Sequence, residues 1–388
     1  MTLFFESIFY ISVFIIFLAM IGYPISIKIL GRFMTHKVLE KDYSHQPTVT
    51  VMVVAHNEEK VILNKLNNLL EIDYPKEKIQ FLISSDNSVD KTNKIVTEFI
   101  QERKEYKIKL YEVNERKGKT NAQNEARKVV ETEYLVMTDA NSMLDSSSIK
   151  ELMAAFTSEE IAYVSGGLQI VNNDVSDVSA SEKSYWDGDL KIREIEGRIQ
   201  TITAGNGAIY ACKTSEYHDF DPIYSHDASM PLYYALNGKR AICNHDAIAY
   251  EKAGEIIEDE FKRKVRMNRI ILKAILPDVR ILNFFKYKWF SYFYFGHRTC
   301  RYLLWISHLL LLVSNAALLN QSIIYMIAFF GQLLFYLLVL IKYITKSNNK
   351  YLTLIYYYFV TIIAQWIGVY NILMGKAKPF WEKAESTR

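Results

Sequence analysis

Three apolar, β-branched runs in the first half of the chain each end in a polar tip. The runs are "TVTVMVVAHNEE", "IQFLISSDNS" and "EYLVMTDANS". Amphipathic segments separate them, and this alternation predicts βαβ units on a mostly parallel sheet with helices on both faces. The tips carry Asn57, Glu58, Asp86, Asp139 and Asn141. Because open α/β sheets bind ligands at the carboxyl ends of their strands, the sequence predicts a binding site at this edge.

Four further motifs occur in a fixed order around these tips. They are a basic glycine turn, "RKGKTNAQN", a glycine strand, "ITAGNGAIYACKTSEY", an acidic segment, "SHDASMPL", and an arginine segment, "EFKRKVRMNR". This order resembles the nucleotide-sugar domain of membrane-bound family 2 inverting glycosyltransferases, the clan that contains hyaluronan, chitin and cellulose synthases. The resemblance covers roughly residues 48 to 270. It implies a GT-A type α/β fold and a UDP-sugar donor.

The resemblance places donor binding at the first two tips and the glycine turn. It implies that Asp86 accepts the ring N–H of uracil, with Asn57 and Glu58 in the same subsite. Lys117 and Lys119 flank a glycine and are expected to approach the base and the phosphates. Taken alone, Asp86 also suits a helix cap, and a basic glycine turn also suits a solvated loop.

Asp139 and Asn141 resemble the DxD element that ties the ribose and a divalent cation to the diphosphate. Mg²⁺ and Mn²⁺ prefer oxygen ligands and keep water ligands while they bridge phosphates, so one of these two ions is the expected cofactor. An asparagine at the third position is a neutral, weaker ligand. His226 and His245 are further candidate ligands, although each also fits a polar surface histidine.

Two residues are expected to carry the chemistry. Asp227 matches the general base of the family, and a carboxylate is already ionised at neutral pH. It can take the acceptor proton late in a single displacement that inverts the anomeric centre. Arg266 matches the motif arginine, whose guanidinium offsets charge on the departing diphosphate. Arg263 lies three residues earlier, on the same face of a predicted helix.

The acceptor is expected beside the glycine strand, at Gly205 and Asn206. Met267 stands where polymerising synthases of the clan have a tryptophan that supports the acceptor sugar. Trp186, on a long polar helix predicted over 175–199, can supply stacking instead, or pack as a structural aromatic.

Hydropathy predicts membrane segments at both ends of the chain. Residues 7–30 are apolar enough to cross a bilayer, and the basic stretch that follows places residue 31 onward in the cytoplasm. Two spans are expected near 301–319 and 322–343, and a last apolar stretch crosses or re-enters. The predicted units are a 1–30 anchor, a 31–283 catalytic domain, a 284–300 interfacial segment, 301–375 membrane segments and a 376–388 tail. For the interfacial segment, a lipid-exposed helix end remains an alternative.

Composition limits the other function classes. Three cysteines without metal-ligand spacing argue against a disulfide scaffold or a zinc site. A net charge of +3 does not discriminate between partners, and no nucleic-acid partner is expected. The expected partners are a UDP-sugar, a glycan or lipid-linked acceptor, membrane lipids and other polysaccharide-export proteins.

Three functions fit these features. The first is a multi-pass membrane glycosyltransferase that extends a surface polysaccharide or a lipid-linked glycan. The second is transfer of one sugar to a polyprenyl-phosphate carrier, which the methionine at 267 favours. The third is a non-catalytic scaffold that binds a sugar nucleotide. Asn141 is its only support, and Asp227 and Arg266 oppose it.

Overall fold

A computed structural model describes residues 1–34, 39–172, 177–254, 257–347 and 349–380. The start of the helix predicted at 175 therefore lies outside the described residues, as does most of the predicted 376–388 tail. The strands are β1 (Val49–Ala55), β2 (Ile79–Ser85), β3 (Ile108–Glu112), β4 (Tyr134–Asp139), β5 (Met143–Leu144), β6 (Ile161–Ile170), β7 (Ile209–Lys213) and β8 (Arg240–Glu251).

These strands form one eight-stranded sheet with the order β3-β2-β1-β4-β7-β6-β8-β5. The half that contains β1 to β4 is parallel, as the alternating pattern predicts. The other half of the sheet is mixed, because β7 runs antiparallel to both β4 and β6, while β6 and β8 are parallel. The two-residue strand β5 pairs antiparallel with β8 at the edge.

The register of the parallel half brings the polar tips together. Ala55 pairs with Ser85, and Val54 pairs with Asp139. The residues that follow β1 and β2 therefore emerge at the same edge of the sheet as the end of β4. Strand β1 is buried on both faces, which explains why its sequence reads as a continuous apolar run.

Helices cover both faces of the sheet. Those before and within the domain are α1 (Thr2–Phe17), α2 (Tyr23–Met34), α3 (Ile62–Leu70), α4 (Thr92–Glu102), α5 (Lys119–Arg127), α6 (Ser148–Ala154), α7 (Asp177–Ile199), α8 (His226–Leu236), α9 (Ile257–Met267) and α10 (Ile271–Ile275). Helix α3 packs Ile62, Leu66 and Leu69 from one face into the main core. The Glu58 carbonyl accepts the backbone N–H groups of Val61 and Ile62 in the turn that leads into this helix.

The C-terminal part is helical. Its helices are α11 (Phe284–Tyr287), α12 (Trp289–Phe293), α13 (Cys300–Tyr302), α14 (Leu304–Leu318), α15 (Ile323–Thr345) and α16 (Lys350–Leu373). Among the described residues, three helices, Thr2–Met34, α15 and α16, are long and apolar enough to cross a membrane. The segments Trp289–Tyr302 and α14 make a fourth candidate that is bent by 64°.

Helix α16 contacts both the other apolar C-terminal helices and the sheet domain. Its Gln365 accepts a hydrogen bond from the Trp305 backbone and donates one to the Arg301 carbonyl, so its amide is satisfied inside the bundle. The Tyr357 hydroxyl donates to Glu260 of α9 at 3.0 Å. The three cysteines are buried and unpaired.

Candidate active site

Asp86 holds the basic glycine turn. Its buried carboxylate accepts hydrogen bonds from the backbone N–H groups of Lys117 at 3.1 Å and Gly118 at 2.9 Å. Gly118 has φ +95°, a conformation that costs a residue with a side chain far more than it costs glycine. Each carboxylate oxygen has a second lone pair, so Asp86 can still accept a further hydrogen bond.

Asn57 and Glu58 connect the tips of β1 and β2. Asn57 has φ +54°, and its side-chain oxygen accepts the Val89 N–H at 2.8 Å. The Glu58 N–H donates to the Thr92 hydroxyl. The carboxylate of Asp90 accepts the N–H of Thr92, at the start of α4. Asp90 therefore fixes the turn that leads into α4.

Three charged side chains converge on Gly207. A Cβ built on this glycine would lie 3.2 Å from Lys119 Nζ, 3.5 Å from Asp139 Oδ2 and 3.8 Å from Asp227 Cγ. They come from the first residue of α5, the last residue of β4 and the first turn of α8. The sheet and two helix N-termini thus bring residues from distant parts of the sequence to one point.

Lys119 is the charge at the centre of this group. Its ammonium donates to Asp139 Oδ1. Burial opposes its charge, but Asp139 and Asp227 outweigh the burial and hold the pKa of Lys119 above its ordinary value. An ammonium group in this position can stabilise negative charge on a ligand that binds beside it.

Asp227 is fixed through its backbone. Its carbonyl accepts the N–H of Gly205 at 2.8 Å, which ties the start of α8 to the glycine strand. The neighbouring His226 is buried, so it is not the polar surface histidine that the sequence also allowed. Burial lowers the pKa of His226 to about 3. Its Nδ1 lies 2.9 Å from Gln123 Oε1. His245 Nε2 lies 3.0 Å from the Leu190 carbonyl.

A buried lysine contacts the end of β4 and the turn that follows it, which carry the predicted metal ligands. Lys65 is 0% exposed, and its Nζ donates to the Thr138 hydroxyl at 3.1 Å and to the Ser142 carbonyl. Burial lowers the pKa of Lys65 to about 7. The Ser142 hydroxyl in turn donates to Glu251, whose pKa is raised by burial and by Asp139.

Sequence reasoning missed both Lys65 and Glu251. Lys65 lies three residues after Ile62 and four before Leu69, on the apolar face of an amphipathic helix. A lysine at a core-facing position is unusual, and this was the available signal. Glu251 carried a weaker signal, as the last residue of a strand.

The arginines of the arginine segment have different surroundings. Arg263 pairs with Glu260 at 2.6 Å and with Glu182 at 2.9 Å, which joins α9 to α7. Arg266 is half-buried one turn later. Arg269, which the sequence reasoning missed, donates to the Ile223 carbonyl at 2.6 Å. Burial lowers the pKa of Arg269 and the nearby charge of Asp227 opposes this shift.

The residues predicted to bind the acceptor range from fully buried to exposed. A Cβ on Gly205 would lie 1.9 Å from the Tyr163 hydroxyl, so only glycine fits. The buried Asn206 side chain donates to the Gly166 carbonyl at 2.6 Å and accepts the Ala208 N–H, so it holds the turn. Trp186 packs partly against the main core. Met267 is 49% exposed.

The end of the described chain lies over the glycine turn. The Pro379 carbonyl oxygen would be 2.7 Å from a Cβ on Gly118. The Arg116 guanidinium lies 4.9 Å from the centre of the Phe380 ring. No feature of the sequence predicted this contact between segments about 260 residues apart.

Comparison with known proteins identifies the fold and the family. The family model described as "Glycosyl transferase family 2" matches residues 50–213. This segment is a family 2 glycosyltransferase domain. In overall fold, the chain resembles the mannosyltransferase PcManGT from Pyrobaculum calidifontis, which was solved with GDP-Man and Mn²⁺, with a TM-score of 0.72 at 18% identity. The superposition covers 95% of this chain and 99% of that protein, and the predicted GT-A type α/β fold is confirmed.

The glycosyltransferase domain is also similar to curated synthases. It is 27% identical over 140 residues to the beta-monoglucosyldiacylglycerol synthase of Nostoc sp., covering 36% of this chain and 28% of that protein. It is 22% identical over 254 residues to the poly-beta-1,6-N-acetyl-D-glucosamine synthase of Staphylococcus epidermidis, covering 63% and 60%. The chain thus spans less than two thirds of each of these relatives.

Proposed function

We propose that this chain is a multi-pass membrane protein that transfers a sugar, with inversion, from a UDP-sugar to a growing surface polysaccharide or a lipid-linked glycan. The observation that carries the proposal is the convergence of Lys119, Asp139 and Asp227 on Gly207. Transfer from a sugar nucleotide needs a cation and a metal-ligating carboxylate near the diphosphate, and a base on the other side of the anomeric carbon. This group supplies all three types of side chain within one small space.

In the proposed reaction, the Asp227 carboxylate accepts the proton of the acceptor hydroxyl as the new glycosidic bond forms. The bond between the anomeric carbon and the diphosphate oxygen breaks, and UDP leaves. Lys119 offsets the charge that develops on the diphosphate, and we assign the same role to Arg266. Arg269 positions the loop before Asp227 by its bonds to backbone carbonyls.

The donor base is assigned to the tips of β1 and β2. Asp86 retains acceptor capacity for a uracil N–H while it fixes the glycine turn. Asn57 and Glu58 shape this subsite, and Lys117 lies at its edge beside Glu115.

The site fits a divalent cation that arrives with the diphosphate. The described residues contain no group of three or more histidine, cysteine, aspartate or glutamate side chains that would hold a metal alone. Mg²⁺ is commonly held by one or two carboxylates together with substrate phosphates. Asp139, helped by Asn141, would hold Mg²⁺ or Mn²⁺ in this way, and the ion would supply charge stabilisation for the leaving group. The Mn²⁺ in the structure of PcManGT supports this assignment.

The acceptor is assigned to the side of the site that faces α7 and α9. Gly205 and Asn206 form its floor, and Trp186 and Met267 are the candidate contacts for the acceptor sugar. We place residues 31–283 in the cytoplasm, 284–300 at the membrane surface and the C-terminal helices in the bilayer. The three long apolar helices support this arrangement. Other polysaccharide-export proteins are proposed partners.

A single addition to a lipid carrier is the second candidate. Met267 is half-exposed and offers no aromatic face to a growing chain. The similarity to a glucosyldiacylglycerol synthase also favours a lipid acceptor. The product distinguishes the two candidates, because repeated addition by one polypeptide gives long polymer early beside unused acceptor. We expect short products or single additions.

The test is to incubate the purified full chain in native lipid with a panel of radiolabelled UDP-sugars and GDP-sugars, and then to size the product over time. We expect one UDP-sugar to be consumed and UDP to be released in an acceptor-dependent manner. Consumption of a GDP-sugar alone would contradict the donor assignment. Binding of the nucleotide sugar without turnover under any acceptor condition would favour a non-catalytic scaffold.

A further inference from the structure

An open pocket of about 540 Å³ lies between α2, α7 and α13. Lys28 lies on α2, Lys183 and Lys191 lie on α7, and Arg301 lies on α13. The lining residues include none of the three side chains that surround Gly207. The pocket is therefore separate from the proposed catalytic site.

The charge of this pocket is positive. Its lining contains four basic side chains and two acidic ones, Asp187 and Asp189. Lys183 pairs with Asp187 at 3.0 Å. Arg301 Nη1 donates to Asp189 at 2.8 Å, a bond that uses one of the three guanidinium nitrogens. Lys28 and Lys191 are exposed and form no ion pair with any described residue.

Asp189 does not offset these free charges, because it is already compensated inside the protein. Arg193 pairs with it at 2.6 Å, and the fully buried His297 lies 2.8 Å from it. Two lysines and the free edge of Arg301 thus remain for a ligand. A group with several acceptor oxygens and a negative charge, such as a phosphate, matches this set.

The pocket also lies at the level where a lipid headgroup is expected. Helix α2 is the last part of the apolar helix Thr2–Met34, and Lys28 lies within its last two turns. Arg301 lies near the bend of the fourth candidate span, close to the start of α14. Basic side chains at the ends of membrane helices lie in the headgroup region. Pro24, Tyr185 and Ile192 supply apolar wall to the same pocket.

We infer that this pocket binds the phosphate of an anionic membrane lipid that is not a substrate. Lys28, Lys191 and Arg301 contact the phosphate, and the acyl chains extend along the apolar parts of α2 and α14.

A chain of polar contacts connects this pocket to the proposed base. Arg301 bonds to Asp189, which pairs with Arg193. Arg193 donates to the Gly205 carbonyl, and the Gly205 N–H donates to the Asp227 carbonyl. These contacts link the pocket to the glycine strand and to the start of α8.

The experiment measures lipid binding without any donor, so it does not depend on the proposed transfer activity. The purified full chain in a non-ionic detergent is titrated with phosphatidylglycerol or phosphatidylcholine, and bound lipid is counted by native mass spectrometry. The test variant is Lys28→Gln/Lys191→Gln. The control is Lys286→Gln/Lys350→Gln, which removes the same charge from exposed lysines near other apolar helices.

We expect phosphatidylglycerol to bind the wild-type chain and the control with equal affinity, and phosphatidylcholine to bind neither specifically. Each lysine near an anionic surface adds to the affinity for anionic lipid. Because the test variant lacks two of them, it should bind phosphatidylglycerol about 30-fold more weakly than the wild type. Equal affinity of the test and control variants would overturn the inference. Saturation of the site by inorganic phosphate alone, at similar concentration, would overturn the lipid source. Recovery of phosphatidylglycerol carrying a sugar after incubation with donor would overturn its assignment as a non-substrate lipid.

Discussion

Replacing Gly207 by alanine puts a methyl group at the centre of the proposed site. The new Cβ would lie 3.2 Å from Lys119 Nζ, and 3.5 Å and 3.8 Å from the carboxyl groups of Asp139 and Asp227. The nearest atom is the end of a flexible side chain, and Gly207 is not among the described glycines with positive φ. The fold should therefore accept the change, and we expect the thermal midpoint to move by less than about 3 °C.

Activity should respond much more strongly than stability. In a reactive complex the attacking oxygen and the anomeric carbon are about 3 to 3.5 Å apart, and a displacement of about 1 Å lowers the rate roughly 10²-fold. A methyl group in the space between Lys119, Asp139 and Asp227 would take up room that the reacting atoms need, and we expect it to displace them by about that much. We therefore expect kcat of Gly207→Ala to fall about 10²-fold.

The assay is UDP release at saturating donor, with the thermal midpoint recorded for each variant. Gly331→Ala is the matched control, because a Cβ there has no atom within 4 Å. The control should keep wild-type turnover. If Gly207→Ala also kept wild-type turnover while properly folded, the reacting atoms would not lie between these three side chains, and the proposed site would be wrong.

Three other changes test the surrounding structure. Gly118→Ala forces a side chain into φ +95° and towards the Pro379 carbonyl, a strain of about 1–3 kcal/mol that should raise the donor KM roughly tenfold. The penalty for burying charged Lys65 is full below about pH 7 and is relieved as pH rises, so the wild type should gain stability over Lys65→Met between pH 7 and 9. A pH-independent difference in thermal midpoint would refute this. Excess chelator should abolish transfer, Mg²⁺ or Mn²⁺ should restore it, and Asn141→Asp should keep or tighten the metal requirement; full activity in chelator would contradict the metal assignment.

The donor edge could be predicted because its signals are local. Buried parallel strands read as β-branched apolar runs, and the polar residues that end them must share an edge once the strands pair in register. The pairing of Val54 with Asp139 shows this register directly. The resemblance to the family assigned Asp86 and the glycine turn to one subsite, but it did not predict the bonds from the backbone N–H groups of this turn to Asp86.

The supporting contacts could not be predicted, because they join distant segments. Lys65, on α3, donates to the Ser142 carbonyl, which lies far along the sequence. Pro379, near the end of the described chain, lies over Gly118. Asn206 was predicted to lie at the acceptor, and its position in the sequence did not indicate that its amide would also hold its own turn. Side-chain type and spacing do not specify whether a polar residue binds a ligand or holds the fold, because that depends on its neighbours in space.

The replacement Asp227→Asn tests the central claim most directly. It keeps the size of the side chain and removes the base, so UDP binding should be retained while sugar transfer falls roughly 10²- to 10⁴-fold. Asp219→Asn, an exposed aspartate in the preceding loop, is the control and should transfer normally. Both quantities are measured on the purified full chain, binding with labelled UDP and transfer as acceptor-dependent UDP release. Near wild-type transfer by Asp227→Asn would contradict the account.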